Sequence, residues 1–503
     1  MSETIKVRRI NSAFLKVNAD HGVMREIWDH FSFMYPGHQH MKSFKTGSWD
    51  GWFRLFDVVK GRLYVGLYEA LCEFAKISNY TIELEPDPNW GFPGKMTDIA
   101  MSEMADFVES LNLHSRQERI APREYQLKAL YTGITEANTF IISPTSSGKS
   151  LIIYMLLRWM QKCTDEKIVL IVPTTALVDQ MFTDFMDYSE FDDDWYASDN
   201  CHCVYSGKDK ISHQQIMITT WQSLATLPKG VLKYIGGVVG DEAHTFKAKS
   251  LTTMMEGMTA AKWRIGTTGT TDGTEVNEMV LEGLFGPFCK YVSTKELMDA
   301  GTISDMEIFM GVLKYSDDSK KMVSKVSWDK EIAWICDHEK RNNTIANLAL
   351  NMSGNTLVMY RYKRHGKDLY DLIKASAHKN RKVFLISGET KTEVRNKIRP
   401  IVEAEKDAII VASVGVFSTG VNIKNLHNLI FGCPMKSQIK VLQSIGRVLR
   451  KSEDGSPATV VDICDDLSWK SKTNTTLTHA AERLKVYNRE GFKVSVHEIE
   501  IGE

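Results

Sequence analysis

From about residue 115 the chain alternates short, β-rich apolar runs with longer stretches of helical periodicity, and it does so in two series. The first comprises 139–142, 168–172, 215–219, 237–239 and 263–267; the second 307–313, 356–360, 382–386, 407–412, 428–431 and 458–463. Strands separated by helical crossovers pair in parallel, with helices on both faces of the sheet. Two α/β sheets in tandem are therefore expected, with Gly301-Thr302-Ile303-Ser304-Asp305 as the hinge between them. After the second series, 478–490 is helical and 493–501 alternates as a strand. Ahead of the first, 85–94 gathers three of the chain's 12 prolines into a loop that closes a separate region of about 110 residues. A helix is expected over 98–113, with Ile99, Met104, Phe107, Val108 and Leu111 on one face.

The 503 residues allow about three domains, each able to bury a core. A net charge of -1 names no partner, but its distribution is uneven. Residues 1–62 carry ten Lys/Arg against six Asp/Glu, 63–110 two against nine, and 357–406 thirteen against six. Such basic segments suit a selective polyanion site. No apolar run reaches the ~18 residues of a membrane helix, and Met1–Asn11 has no apolar signal region, so neither a membrane nor secretion is expected. The eight cysteines form no CxxC, which reads as reduced thiols in a cytoplasmic protein. Cys201-His202-Cys203 lacks a second pair at zinc spacing, and a structural zinc is set aside.

The segment Phe140–Ser150 runs from an apolar strand through Ser143-Pro144-Thr145-Ser146-Ser147 to Gly148-Lys149-Ser150, and a helix follows. A strand that ends where a helix begins turns backbone N–H groups toward one point, which suits a polyphosphate. Gly148 permits close approach, Lys149 can reach the β- and γ-phosphates, and Ser150 offers a hydroxyl to Mg²⁺. Ser143 departs from the strict GxxxxGK[ST] signature, which has glycine there. Asp241-Glu242-Ala243-His244 closes a second apolar run, where ligands bind in open α/β sheets. Asp241 is suited to holding Mg²⁺ through water, and Glu242 to activating an attacking water. An exposed acidic turn is the alternative for that tetrapeptide taken alone.

Together these motifs resemble the superfamily 2 helicases that carry a DEAH box, over about residues 115–465, and their order and wording are similar to those of T4-like bacteriophage helicases. The resemblance implies two RecA-like domains with ATP between them and nucleic acid across the top. The expected fold class is α/β: a small α+β accessory domain over 1–112, then RecA-like domains over 113–300 and 301–503. By resemblance, Arg123 and Gln126 bind adenine, and 144–150 wraps the phosphates. Thr174 and Thr175, then Thr219 and Thr220, contact the nucleic-acid backbone. Thr268-Gly269-Thr270 couples ATP site to strand, with His244 as the link. Arg361, Lys363 and Arg364 belong to the next motif, and Gly420 and Asn422 lie by both ATP and strand. Gln443, Arg447 and Arg450 form the QxxGRxxR motif, whose arginines clamp the γ-phosphoryl group. Ser146 stands where many relatives have glycine, and Gly236, Gly237 and Gly240 make the strand before Asp241 glycine-rich.

Residues 25–56 interleave aromatics and bases, with a turn at 45–52 expected between strands. Stacking on unpaired bases and packing in a small core are both open for the aromatics. Lys42, Lys45, Arg54, Lys60 and Arg62 are better candidates for phosphate contact. An ATP- and Mg²⁺-using monomer acting on branched or forked DNA and on RNA–DNA hybrids is the expectation. An RNA helicase and an ATP-gated clamp that does not travel are the alternatives.

Overall fold

The computed structural model describes residues 3–87, 99–205, 212–271, 273–390, 392–415, 423, 425–448 and 457–501. They form two compact units: residues 1–143 with 148–291, and residues 144–147 with 292–503.

The first unit opens with a five-stranded sheet: β1 (Thr4–Arg9), β2 (Phe14–Asn18), β3 (Phe56–Asp57), β4 (Arg62–Tyr64) and β5 (Thr81–Glu85), ordered β3-β4-β2-β1-β5. Burial alternates along β1, with Ile5, Val7 and Arg9 inward, as in a sheet with one face on a core. Helices α1 (His21–His30) and α2 (Tyr68–Ile77) add Val23, Ile27, Leu71 and Phe74 to that core. Between strands Ser32–Met34 and Trp52–Arg54 the chain forms a short helix at Lys42–Lys45, so Lys45 ends a helical turn and the expected turn begins after it.

A seven-stranded sheet follows: β6 (Asn138–Ile142), β7 (Lys167–Val172), β8 (Cys201–Val204), β9 (Ile216–Thr220), β10 (Ile235–Gly240), β11 (Trp263–Thr268) and β12 (Phe288–Lys290). Its order is β8-β9-β7-β10-β11-β6-β12 and every pairing is parallel. Strands β8 and β12 were not expected from the sequence. The Cys-His-Cys run is simply the edge strand β8, too short and polar to stand out as an apolar run. Helices α3 (Glu124–Thr135), α4 (Lys149–Cys163), α5 (Thr175–Tyr188) and α6 (Glu275–Phe285) connect the strands.

The N-terminal sheet packs against this one within a shared core: Ile5, Phe31 and Leu67 cluster with Phe140, Phe246 and Phe285. Gly66 marks the closest approach, since a Cβ there would lie 1.9 Å from the Glu282 carbonyl oxygen. Ser12 Oγ donates to the Met258 carbonyl at 2.8 Å, and the Tyr64 hydroxyl to Glu256 at 2.6 Å.

The second unit holds another seven-stranded parallel sheet: β13 (Met306–Lys314), β14 (Thr356–Tyr360), β15 (Val383–Ile386), β16 (Ile409–Ser413), β17 (Asn428–Phe431), β18 (Ala458–Asp466) and β19 (Lys493–Glu500), ordered β15-β16-β14-β17-β18-β13-β19. Helices include α7 (Lys363–Ser376), α8 (Gln438–Val448) and α9 (Thr475–Arg489). Two buried arginines pin its core: Arg341 on Asp465 and Arg483 on Asp462, each at 2.7 Å. Gly301–Asp305 falls inside this unit, as the turn between helix Thr294–Asp299 and β13.

Candidate nucleotide site

Strands β10, β11 and β6 are neighbours, and each opens at its carboxyl end into a loop bearing motif residues. Parallel pairing thus brings together groups that stand more than a hundred residues apart in the chain.

After β6, Gly148 caps α4 with φ +78°, a backbone shape that suits glycine. A side chain there would also strike Gln126, whose Nε2 would lie 2.4 Å from the added Cβ. Ser146, at the position where glycine is common in relatives, has φ +67°. A serine can hold that shape at some strain, which is a physical reason for glycine there.

Lys149 Nζ lies 3.0 Å from Glu242 Oε1 and 3.3 Å from Asp241 Oδ1. Side-chain exposures of 15%, 21% and 4% respectively make this a partly desolvated triad, where each charge depends on the others. Burial alone would push the ammonium's pKa down, but the two carboxylates overcome it and hold the lysine protonated. Burial pushes the Asp241 carboxyl up, against Lys149. For Glu242 burial again opposes ionisation, and Lys149 and His244 overcome it, holding the carboxyl well below the usual range.

Threonines at the end of β11 orient both acids. Thr267 Oγ1 donates to Asp241 Oδ1 at 3.1 Å, and Thr268 Oγ1 to Glu242 Oε2 at 3.2 Å. His244 Nδ1 sits 2.9 Å from Thr268 Oγ1 and 3.3 Å from Glu242 Oε2, so the expected link between the acidic motif and the Thr-Gly-Thr motif is a direct contact. Glu242 has φ +47°, a left-handed conformation strained for glutamate and of the kind that collects at working sites.

Gln126 joins the segment expected to read adenine to the loop: its Oε1 accepts from Arg123 N at 2.8 Å and its Nε2 donates to the Gly148 carbonyl at 3.4 Å. Arg123 is exposed and reaches the Tyr125 hydroxyl at 3.2 Å. Ser150 Oγ is 2.8 Å from the Tyr188 hydroxyl, a partner that sequence reasoning missed because the two stand 38 positions apart. Thr267 was missed for another reason: it reads only as the last residue of an apolar run.

The donor set at this site suits a hard divalent cation. Asp241 and Ser150 offer oxygens beside an anion-binding loop, and phosphate oxygens would supply the remaining ligands. Among the described residues there is no cluster of three or more His, Cys, Asp or Glu side chains able to hold a metal without such help.

The expected nucleic-acid contacts divide into two kinds. Thr174 caps α5 by accepting from Leu177 N, and Thr175 is exposed beside it. Thr219 is a correction: its hydroxyl is wholly buried and donates to the Val204 carbonyl, so it cannot reach a phosphate. Thr220 is also buried and caps the following helical turn through Ser223 N. Lys42 and Lys45 are exposed, whereas Arg54 is engaged by Asp50. In the second unit Arg361 lies over Trp328, Lys363 pairs with Glu389, and Arg364 approaches Asp337 and Asp368. Gln443 is half-buried in α8, which also contains Arg447. The Arg447 side chain, Arg450, Gly420 and Asn422 lie outside the described residues. Of the aromatics in 25–56, Phe31 and Phe56 are buried, and Tyr35, Trp49 and Phe53 pack on one another. Core packing therefore accounts for most of them, while Trp52 stays exposed.

Comparison with known proteins gives three family matches: DEAD/DEAH box helicase over residues 123–279, DNA helicase UvsW N-terminal over 4–85, and helicase conserved C-terminal domain over 339–452. The chain is 32% identical to the ATP-dependent DNA helicase uvsW of Enterobacteria phage T4, across 97% of this chain and 98% of that one. It is 23% identical to the DNA 3'-5' translocase XPB2 of Sulfurisphaera tokodaii, across 69% and 82% respectively. The crystal structure of T4 UvsW superposes over the whole of both chains with a TM-score of 0.52 at 30% identity. A fragment of a type I restriction enzyme HsdR subunit from Vibrio vulnificus shares the fold, with a TM-score of 0.57 at 15% identity over 79% of this chain and 71% of that one.

Proposed function

Because the chain belongs to the UvsW family of ATP-dependent helicases, we propose that it is a DNA motor that remodels branched substrates: stalled forks, four-way junctions and RNA strands paired into duplex DNA. The family makes it a nucleic-acid-dependent ATP hydrolase with two RecA-like domains. The observation carrying the catalytic assignment is the triad of Lys149, Asp241 and Glu242, with both acids aligned by threonines of one strand.

In this reading Gly148 and the loop amides cradle the polyphosphate, and Lys149 turns from the carboxylates to the β- and γ-phosphates. Glu242, released by Lys149 but still held by His244 and Thr268, accepts a proton from the attacking water. Ser150 and Asp241 would hold a magnesium ion, which supplies charge neutralisation on the phosphate oxygens when bound. Arg447 and Arg450 stabilise the charge that builds on the transferring phosphoryl group. Residues 1–112 select the substrate, residues 113–300 bind ATP and 301–503 complete the hydrolytic set. The chain works as a monomer in the cytoplasm, within a host cell if it is viral. Among the described residues no helix is long and apolar enough to cross a membrane.

ATP turnover with single-stranded, duplex and forked DNA and with RNA as activators tests the reading. Forked DNA is expected to stimulate most, and strand displacement to accompany turnover. Preferential stimulation by RNA favours an RNA helicase, and turnover without displacement favours a clamp. Lys149→Ala and Glu242→Gln should each abolish turnover while DNA binding persists.

A further inference from the structure

A cavity of 430 Å³ lies in the first unit, lined by Phe14, Trp28, Arg54, Val59, Arg62 and Glu256 among others. That volume is in the range of sites for small planar ligands. Its cations lie over aromatic rings. The Arg54 guanidinium lies 4.9 Å from the Trp28 ring centroid and donates to both oxygens of Asp50. The Arg62 guanidinium lies 4.8 Å from the Phe14 ring centroid, with Asp57 at 3.5 Å. Arg62 Nε has no hydrogen-bond partner among the described residues.

The lip of the cavity is the turn between β3 and β4, and Val59 at its tip is 91% exposed. That turn is braced from several sides. Asp57 accepts from Lys60 N at 3.0 Å, Val17 N donates to the Gly61 carbonyl at 2.8 Å, and Lys16 Nζ donates to the Lys60 carbonyl at 2.7 Å. Gly61 has φ +57° and no room for a Cβ, which would fall 2.5 Å from the Val17 carbonyl oxygen. An apolar side chain presented to water on a braced turn, beside Lys16, Lys60 and two ring-backed guanidiniums, has no packing role in the chain's own core.

We propose that this cavity receives an unpaired nucleobase of a DNA strand at a branch, with Val59 against the base pair next to it. The proposal rests on the branched-DNA reading above and gives it a location. A guanidinium buttressed on one face by an aromatic ring offers its other face to a base and its N–H edge to a phosphate. Asp57 and Glu256 at the wall provide acceptors for base amino groups. Lys16 and Lys60 add charge along the path of the backbone. An apolar wedge beside cations is how proteins hold an opened step of duplex.

The test is binding, without nucleotide, to a DNA fork with one unpaired nucleotide at the branch and to the same fork with an abasic residue there. The wild-type chain is expected to prefer the base by about tenfold. The Arg54→Ala/Arg62→Ala pair should lose that preference, and Val59→Glu, an exposed change that leaves the core intact, should reduce it at least severalfold. Equal affinity of the wild type for the two forks overturns the proposal, as does an undiminished preference in Val59→Glu together with the arginine pair. ATP turnover stimulated by plain single-stranded DNA should be unchanged in Val59→Glu. Loss of stimulation in the wild type would defeat the proposed function, independently of the base preference.

Discussion

Glu282 is half-buried on α6 and faces Glu69 and Glu73 of α2 and Glu278 of its own helix. Burial, then these like charges, push its carboxyl up to about 7. The folded form therefore keeps a proton that the unfolded chain releases near pH 4.3. Stability conferred at low pH is lost as pH rises toward 7 and stays lost above it. Glu282→Gln should raise the melting temperature at pH 8 by about 3 °C, equivalent to ~1 kcal/mol after solvent screening, and change it little at pH 5. A constant gap at both pH values would assign the effect to packing instead. At the proposed nucleotide site, the Ser150 and Tyr188 hydroxyls lie 2.8 Å apart, and with a cation on the serine oxygen the serine proton would turn to Tyr188. Tyr188→Phe should weaken ATP binding in magnesium by about tenfold, ~1.4 kcal/mol, and leave binding in EDTA unchanged. Equal losses in both conditions would reduce Tyr188 to a packing role. Neither contact was legible in the sequence, because each depends on side chains meeting across different elements.

Elements were more legible than contacts. Nine of the eleven apolar runs needed only their ends adjusted by a residue or more, and 356–360 and 428–431 match β14 and β17 as they stand. The two unexpected strands lie at opposite edges of one sheet, where a few residues suffice and hydrophobic runs are short. Thr219 shows the converse failure: a hydroxyl at a strand end reads as available, yet the parallel neighbour β8 buries it. The N-terminal sheet was expected to stand apart, and its packing on α6 has no local signature. That packing depends on Gly66, where the backbone of the 3₁₀ turn before α2 meets the end of α6. Gly66→Ala should cost about 2–3 kcal/mol by forcing the two elements apart. Limited proteolysis should then release a fragment ending between residues 87 and 112, while intact resistance at wild-type rates would show that the contact yields without cost.

At the scale of the molecule, the motif order along the chain gave the reaction class, and strand adjacency explains how distant motifs become one site. Lys149, Asp241 and Glu242 come from the ends of β6 and β10, with β11 between those strands supplying Thr267 and Thr268. In the proposed mechanism the first unit supplies Gly148, Lys149 and Ser150 with Asp241 and Glu242, and the charge on the transferring phosphoryl group has still to be neutralised. Arg447 and Arg450 are proposed for that task. The most direct measurement is single-turnover hydrolysis of bound ATP, on forked DNA, by Arg447→Ala and Arg450→Ala. The account predicts ATP affinity within about threefold of wild type and hydrolysis slowed by about 10³-fold. Hydrolysis at the wild-type rate in both variants would contradict it.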